Sequence, residues 1–420
     1  MPHLLSINSY HYRRGGADAV YLDHAALMES LGWRNTFFSM HFPENLPCES
    51  SGYFVDEIQF GHSYTAWEKV VKATKVVYSF EAQRQLRRLV ADRRPDVAHI
   101  HNIYHHLSPA ILPVLKELGI PAVMTAHDLK IVCPNNKMLN ATGICERCKG
   151  RRYYHAILNR CVLDSVAASV IVAVESTLHH SLGSYSKNLD AIVVPSRFFI
   201  DKFVEWGWPR EKFVHVPNFV DADRFETSFE PGKHFVYFGR LAREKGLFTL
   251  IRAVARARVP LVLVGTGPIE DELRRLAASI EAPVEFAGYK TGAALYSLVR
   301  GARATVLPSE WYENSPISVL ESLAMGKPVV GARIGGIPEM VRDQETGWLF
   351  ESGNVDALEA SLRAAHDCPA SEVAELGRKG RRLVETEFSR ERYASTMLDI
   401  YATLGVGASP TEVGLCPSIA

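Results

Sequence analysis

The stretch His234 to Pro268, HFVYFGRLAREKGLFTLIRAVARARVPLVLVGTGP, decides the fold class. An apolar run ends on Gly239, a basic turn follows, LFTLIRAVARA places apolar residues at helical spacing, and PLVLVG is again a continuous apolar run closed by glycine. Strands that are apolar throughout, alternating with amphipathic helices, belong to a parallel sheet covered on both faces. The pattern continues through VEFAG, ATVLPS, KPVVGA and GWLF. The first half is written more loosely, with LLSINS, NTFFSM, VAHIHN, AVMTAHD and AIVVPS as strands and long helices between them, notably around Trp67 to Asp92. An α/β protein of two doubly wound domains follows. The expected division is 1–198, with a cysteine-rich insertion at 133–161, then 199–387, a C-terminal helix at 388–405 packing back on the first domain, and a disordered tail at 406–420. The Pro-, Asn- and Asp-bearing segment His215 to Phe225 marks a turn at the joint.

The 420 residues carry 47 basic and 47 acidic side chains, so no global field draws the protein to nucleic acid. The N-terminus MPHLLSINSYHYRRGG has no signal-peptide core, and no apolar run approaches the ~18 residues of a membrane span. A cytoplasmic protein is expected, one that visits the inner face of the plasma membrane at most. Seven cysteines, an odd count without a secretion signal, point to reduced thiols rather than a disulfide framework.

Ligands of doubly wound sheets sit beyond the carboxyl ends of strands. There the chain reads SEWYENSPISVLES, Ser309 to Ser322. Ser315 suits an N-cap and Pro316 the first helical position, so a helix tip with free N–H groups and a positive dipole end would face the crevice, which is a phosphate site. Glu321 lies about 7.5 Å further along the axis, on one face with Ile317 and Ser318, in reach of a ribose diol. Glu313, before the cap, would face the group on the other side of a diphosphate. The plain alternative makes Glu313 a solvated loop acid and Glu321 half of a surface ion pair. Arg240 and Lys245, after the Gly239 strand, would offer a planar fork and a point charge to a diphosphate. GTGP at 265–268 lacks the third glycine of a dinucleotide fingerprint.

His127 closes the AVMTA strand and reads either as a group in the crevice or as a scaffold residue. His99, His101, His105 and His106 tempt a metal assignment, but no acid or cysteine completes a set, and His101 and Asn102 are expected to line the cleft instead. Cys133, Cys145, Cys148 and Cys161 contain one C-x2-C knuckle and leave three readings open: a structural zinc, reduced thiols, or an iron–sulfur or redox site. Around them stand Arg147, Lys149, Arg151, Arg152 and Arg160; a second basic run spans Arg84 to Arg94. Such runs are solvated helix faces or docking points for anionic lipid or a diphospho-lipid acceptor.

In order, VPNFVDADRF, YFGRLAREKGL, LVLVGTGP, VEFAGY, PSEWYENSPISVLESLAMGKPVV and GGIPEMV with ETGWLF resemble the retaining glycosyltransferases of group 1 type, family 4, whose GT-B fold sets two Rossmann-like domains facing across a cleft. The resemblance is densest from Val216 to about Phe350 and joins the first half through Gly15-Gly16 and His127-Asp128. It implies transfer of a hexose from a UDP-, GDP- or ADP-type sugar donor to a glycan, lipid-linked or small-molecule acceptor, with retention and without a catalytic metal or other cofactor. It implies too that His127, Glu313, Arg240 and Lys245 form the catalytic group. Arg240 and Lys245 would hold the diphosphate, Glu321 the ribose and Glu313 the transferred sugar. Backbone near Pro316, Ile317 and Ser318 would complete the phosphate cradle, Gly16 would allow close backbone approach, and His127 would lie beside the reacting sugar. Phe219 stands where the family often carries glycine. A nucleotide-sugar epimerase of the same fold and a non-catalytic scaffold are the rival readings.

Overall fold

The computed structural model describes residues 1–58 and 65–407, with the backbone alone for 66–70. The tail expected from residue 406 lies, from 408 on, outside the described residues. The chain forms two compact units, Met1–Val216 with the segment from Ala394, and Pro217–Tyr393.

In the first unit, β1 (His3–Ile7), β2 (Arg34–Phe38), β3 (Val97–Ile100) and β4 (Ala122–Thr125) precede a short hairpin, β5 (Leu139–Asn140) and β6 (Gly143–Ile144), inside the cysteine-rich insertion; β7 (Ala191–Val194) and β8 (Phe213–His215) follow. Six of these pair in the order β2-β1-β3-β4-β7-β8, parallel throughout. The second unit pairs β9 (Phe235–Phe238), β10 (Leu261–Val264), β11 (Val284–Gly288), β12 (Ala304–Leu307), β13 (Val329–Ala332) and β14 (Gly347–Phe350) in the order β11-β10-β9-β12-β13-β14, again parallel.

Every residue of β3, β4, β10, β12 and β13 is buried, which is why these strands show no alternation in sequence. Helices cover them: Leu247, Leu250, Ile251 and Val254 of the helix Leu247–Ala257 have no exposed surface. Helix starts are written in side chains, Ser79, Ser165, Ser196 and Asn354 each accepting from the N–H three residues on, a cap worth about 1 kcal/mol. The strand order reverses between β1 and β3 and between β9 and β12. Those are the two crevice positions of doubly wound sheets.

Two expectations shift. The division falls at 216/217 rather than 198/199, because the helix Arg197–Glu205 feeds β8, which pairs with β7 of the first sheet. That three-residue edge strand was too short to read as a strand. The helical stretch near Trp67 to Asp92 is two helices, Ala66–Val77 and Phe80–Asp92, broken where Ser79 caps the second.

The cysteine-rich insertion is pinned to its unit by a buried charge pair. Lys130 Nζ donates to Glu175 at 2.5 Å and to the Pro134 carbonyl at 2.9 Å, both charged side chains being 2% exposed. Glu175→Ala strands the ammonium and should cost about 3–5 kcal/mol in urea unfolding. The double change Lys130→Met with Glu175→Leu should recover most of that; equal losses in both variants would show that the pair itself is not the anchor.

Candidate functional site

In the second unit the turns after β9 and β12 are pressed together. Gly246 has φ +68°, and a Cβ there would lie 1.8 Å from the Pro308 carbonyl oxygen, so only glycine lets the Arg240–Lys245 turn meet the loop opening at Pro308. Across this contact Glu310 N–H donates to the Glu244 carbonyl at 2.9 Å and Thr249 Oγ1 to Glu310 Oε1 at 2.6 Å. The same approach brings Lys245 Nζ within 2.6 Å of Glu313 Oε1, which also accepts from Ser309 Oγ at 2.5 Å. Glu313 is 5% exposed. Its backbone is gripped as well: Gly336 N–H donates to its carbonyl at 2.8 Å, and Gly335, at φ +59°, lies so close that a Cβ would stand 2.2 Å from that oxygen. A buried carboxylate survives because an ammonium and a hydroxyl compensate it.

Lys245 Nζ also stands 5.2 Å from the Trp311 ring centroid. An ammonium has three donors, and the Glu313 bond uses one. Arg240 is more open, its side chain 58% exposed and its guanidinium tied to the buried Glu244, while Tyr237 O–H donates to its carbonyl at 2.9 Å.

The helix after this loop spans Ile317–Ala324, with Pro316 as its cap and no side-chain cap bond. Ser315 therefore does not cap it, contrary to expectation. Its carbonyl is turned back to accept from Asn218 Nδ2 at 2.9 Å, and its buried Oγ has no hydrogen-bond partner among the described residues. Ile317, Ser318 and Glu321 are half-buried on the first turns. Arg240, Lys245, Glu313, Pro316, Ile317, Ser318 and Glu321 thus gather in one unit at the ends of β9 and β12. Lys245 and Glu313, expected on different parts of a ligand, hold each other. Ser309, Glu244 and Gly335 went unread; the i,i+4 spacing of Arg240 and Glu244 was the available signal. Phe219, the departure noted above, is buried against Tyr393, ring centroids 4.4 Å apart.

The first unit holds Gly16 and His127. Gly16 opens the helix Gly16–Ser30 and is exposed. In that first turn the buried Asp18 accepts from Asn8 Nδ2 at 2.9 Å, and burial pushes its carboxyl up. His127 is half-buried at the end of β4, its Nε2 2.8 Å from His101 Nδ1. His101 is not a cleft-lining side chain: it is wholly buried, stacked between His127 and His99 at centroid distances of 5.1 and 4.7 Å. Its Nε2 has no partner among the described residues. The less costly tautomer keeps that nitrogen unprotonated, so Nδ1–H donates to His127 and leaves the His127 proton on Nδ1. Behind them Tyr401 O–H lies 2.5 Å from His99 Nδ1 and 2.9 Å from His24 Nε2.

Cys133 Sγ donates to Asn135 Oδ1 at 3.2 Å, Asn135 Nδ2 reaches the Cys161 carbonyl at 3.4 Å, and Cys148 and Cys161 pack in one apolar cluster. Burial first, then mutual repulsion, pushes Cys133 up to about 11 and Cys148 up to about 12. All four are free thiols in one neighbourhood. Among the described residues no three His, Cys, Asp or Glu side chains stand at metal-ligating spacing. No described helix is long and apolar enough to cross a membrane.

Burial lowers His24 to about 3 and His127 to about 4, and His99 and His101 well below the usual imidazole range. Unfolded imidazoles protonate near 6.5, so between about pH 6.5 and 4 the unfolded chain binds more protons and stability rises with pH. The Tm should be level above neutrality and fall steadily on acidification through that window; a flat profile would contradict the neutral stack.

Two family models account for most of the chain: Glycosyltransferase Family 4 over residues 14–224, half of its length, and Glycosyl transferases group 1 over residues 219–383. The chain is 28% identical over 250 residues to the putative colanic acid biosynthesis glycosyltransferase WcaL of Escherichia coli, covering 54% of this chain and 61% of that relative. It is 26% identical over 360 residues to glycogen synthase of Mycobacterium tuberculosis, covering 82% and 77%. The solved structure of Anabaena Alr3699/HepE in complex with UDP-glucose superposes with a TM-score of 0.64 at 15% identity, over 96% of this chain and 99% of that one. With two parallel α/β units of doubly wound order and both models matched in register, the chain belongs to glycosyltransferase family 4 and has the GT-B fold.

Proposed function

We propose that the protein transfers a hexose, with retention of anomeric configuration, from a nucleotide-diphosphate sugar to a glycan, lipid-linked or small-molecule acceptor. One observation carries the reading. Half-buried Lys245, on the turn after β9, holds the buried Glu313 in the loop that leads into a helix start with no side-chain cap, beside a Ser315 hydroxyl without a partner among the described residues. That is an anion site with a carboxylate alongside.

In this reading the donor diphosphate lies against the amides of Ile317 and Ser318, with Lys245 and Arg240 neutralising the charge that grows on it as the anomeric carbon–oxygen bond breaks. Glu321 accepts from the ribose hydroxyls. Glu313 accepts from a sugar hydroxyl while keeping Lys245 aimed. The acceptor oxygen bonds to the anomeric carbon on the face the diphosphate leaves, and its proton passes to the departing phosphate oxygen. No strong protein base and no divalent metal is called on. His127, its proton held on Nδ1 by His101, is assigned to the reacting sugar by the family resemblance alone. The UDP-glucose bound by the HepE protein supports the donor class and leaves the base open.

A donor panel with product detection tests this. Lys245→Ala and Glu321→Ala should each lower kcat/KM by about 100-fold; Glu321→Ala should leave the Tm unchanged, whereas Lys245→Ala should also lower it by stranding the buried Glu313 carboxylate, with rates compared well below the transition. Unchanged rates would remove the site. Conversion of the donor without any acceptor would favour the epimerase, and no binding to any of the UDP-, GDP- and ADP-sugars would favour the scaffold.

A structural zinc shared by Cys133, Cys145, Cys148 and Cys161 is part of the proposal, supported by their neighbourhood; no three of the four stand at metal-ligating spacing, so their side chains would have to turn inward, Cys133 away from Asn135, to form the site. Metal analysis of purified protein should find about one zinc per chain, as a four-thiolate site requires. Metal-free protein of unchanged Tm would remove it.

A further inference from the structure

The outward side of the helix Val166–Leu182 is apolar where a surface helix is ordinarily polar. Its one carboxylate, Glu175, is buried on Lys130. Val166, Val170 and Val174, spaced i, i+4 and i+8, share one face and are 48%, 38% and 49% exposed. The helix Tyr154–Leu158 packs beside this one through Ala156 and Ala173 and adds Tyr154 and Leu158, while the turn between the two adds Leu163. Leu158 and Leu163 are 72% and 80% exposed. Scattered apolar side chains need no explanation, but a contiguous set on two packed elements does.

Cations stand at both ends of the Tyr154–Leu158 helix. Arg151 and Arg152 precede it, Arg160 follows it, and Arg147 reaches the same end by donating to Asn159 Oδ1 at 3.2 Å. All four are exposed, and among the described residues none of them is in an ion pair. Nearby Glu146 is occupied by Lys202. An apolar patch alone would suit a second copy of the chain. A two-fold contact through this face, however, would set these arginines against their own counterparts.

We propose that this face docks on an anionic phospholipid bilayer, the valines, leucines and Tyr154 entering at the headgroup boundary and Arg147, Arg151, Arg152 and Arg160 lying on lipid phosphates. An amphipathic surface with a cationic rim binds a bilayer by both terms at once, each basic residue contributing about fivefold in affinity. The proposal rests on this surface and is independent of the transferase reading, to which it would add access to lipid-linked acceptors.

The test is co-sedimentation of the full chain with vesicles of phosphatidylcholine, alone or mixed with phosphatidylglycerol, at low and high salt. Binding is expected to the mixed vesicles, weakening with salt. R151Q/R152Q/R160Q should lose about 100-fold in affinity. V170D/V174D should lose most binding, and the milder V170S/V174S part of it, at unchanged circular dichroism. Failure to bind mixed vesicles, equal binding to phosphatidylcholine alone, or indifference to either set of variants overturns the proposal. So does a dimer in light scattering that V170D/V174D dissolves, which would make the face a self-contact.

Discussion

A single ion pair organises the second unit: Lys245 on Glu313, with Ser309 completing the carboxylate's partners. It joins the turn after β9 to the loop after β12 at the point where strand order reverses. Glu313 could not be left there alone, because a buried carboxylate without its partner is strongly unfavourable. The glycines around it follow from the same constraint. Gly246 lets one turn reach the other, and Gly335 lets the next loop lie on the Glu313 backbone. Packing, charge and the uncapped start of the helix Ile317–Ala324 are therefore one arrangement.

The first unit is organised differently. Its polar interior is a stack of neutral imidazoles, His24, His99, His101 and His127, closed at one end by Tyr401 from the C-terminal segment. Desolvation keeps each ring uncharged, so the stack can pass orientation, through the His101–His127 hydrogen bond, to the side chain at the end of β4. The cysteine-rich insertion is a separate attachment, held through Lys130 and Glu175 to a helix whose other side faces solvent with valines.

Much of this was legible in the residues. Five of the six strands from His234 to Phe350 announced themselves because strands largely buried leave unbroken apolar runs, β11 being the half-exposed edge strand interrupted by Glu285, and the placement of Arg240, Lys245, Glu313 and Glu321 followed from strand-end position. What escaped has physical reasons. β8 has three residues on a sheet edge, too few for a period. Ser315 looked like a cap, but Asn218, distant in sequence, turns its carbonyl away. The Lys245–Glu313 pair joins residues 68 apart, a contact that only the fold creates. His101 was placed in a cleft because strand-end histidines often line one; its burial depends on the neighbours that stack on it. The exposed valines at 166, 170 and 174 were invisible as a surface because apolar helical spacing reads equally as core.

The central claim is that a donor diphosphate rests on the start of the helix Ile317–Ala324 beside Lys245. A crystal structure with the nucleotide-diphosphate sugar that the protein turns over tests it most directly. The account predicts phosphate oxygens about 3 Å from the Ile317 and Ser318 amides and from Lys245 Nζ. A nucleotide seated elsewhere in the chain, with Lys245 still engaged only by Glu313, would contradict it.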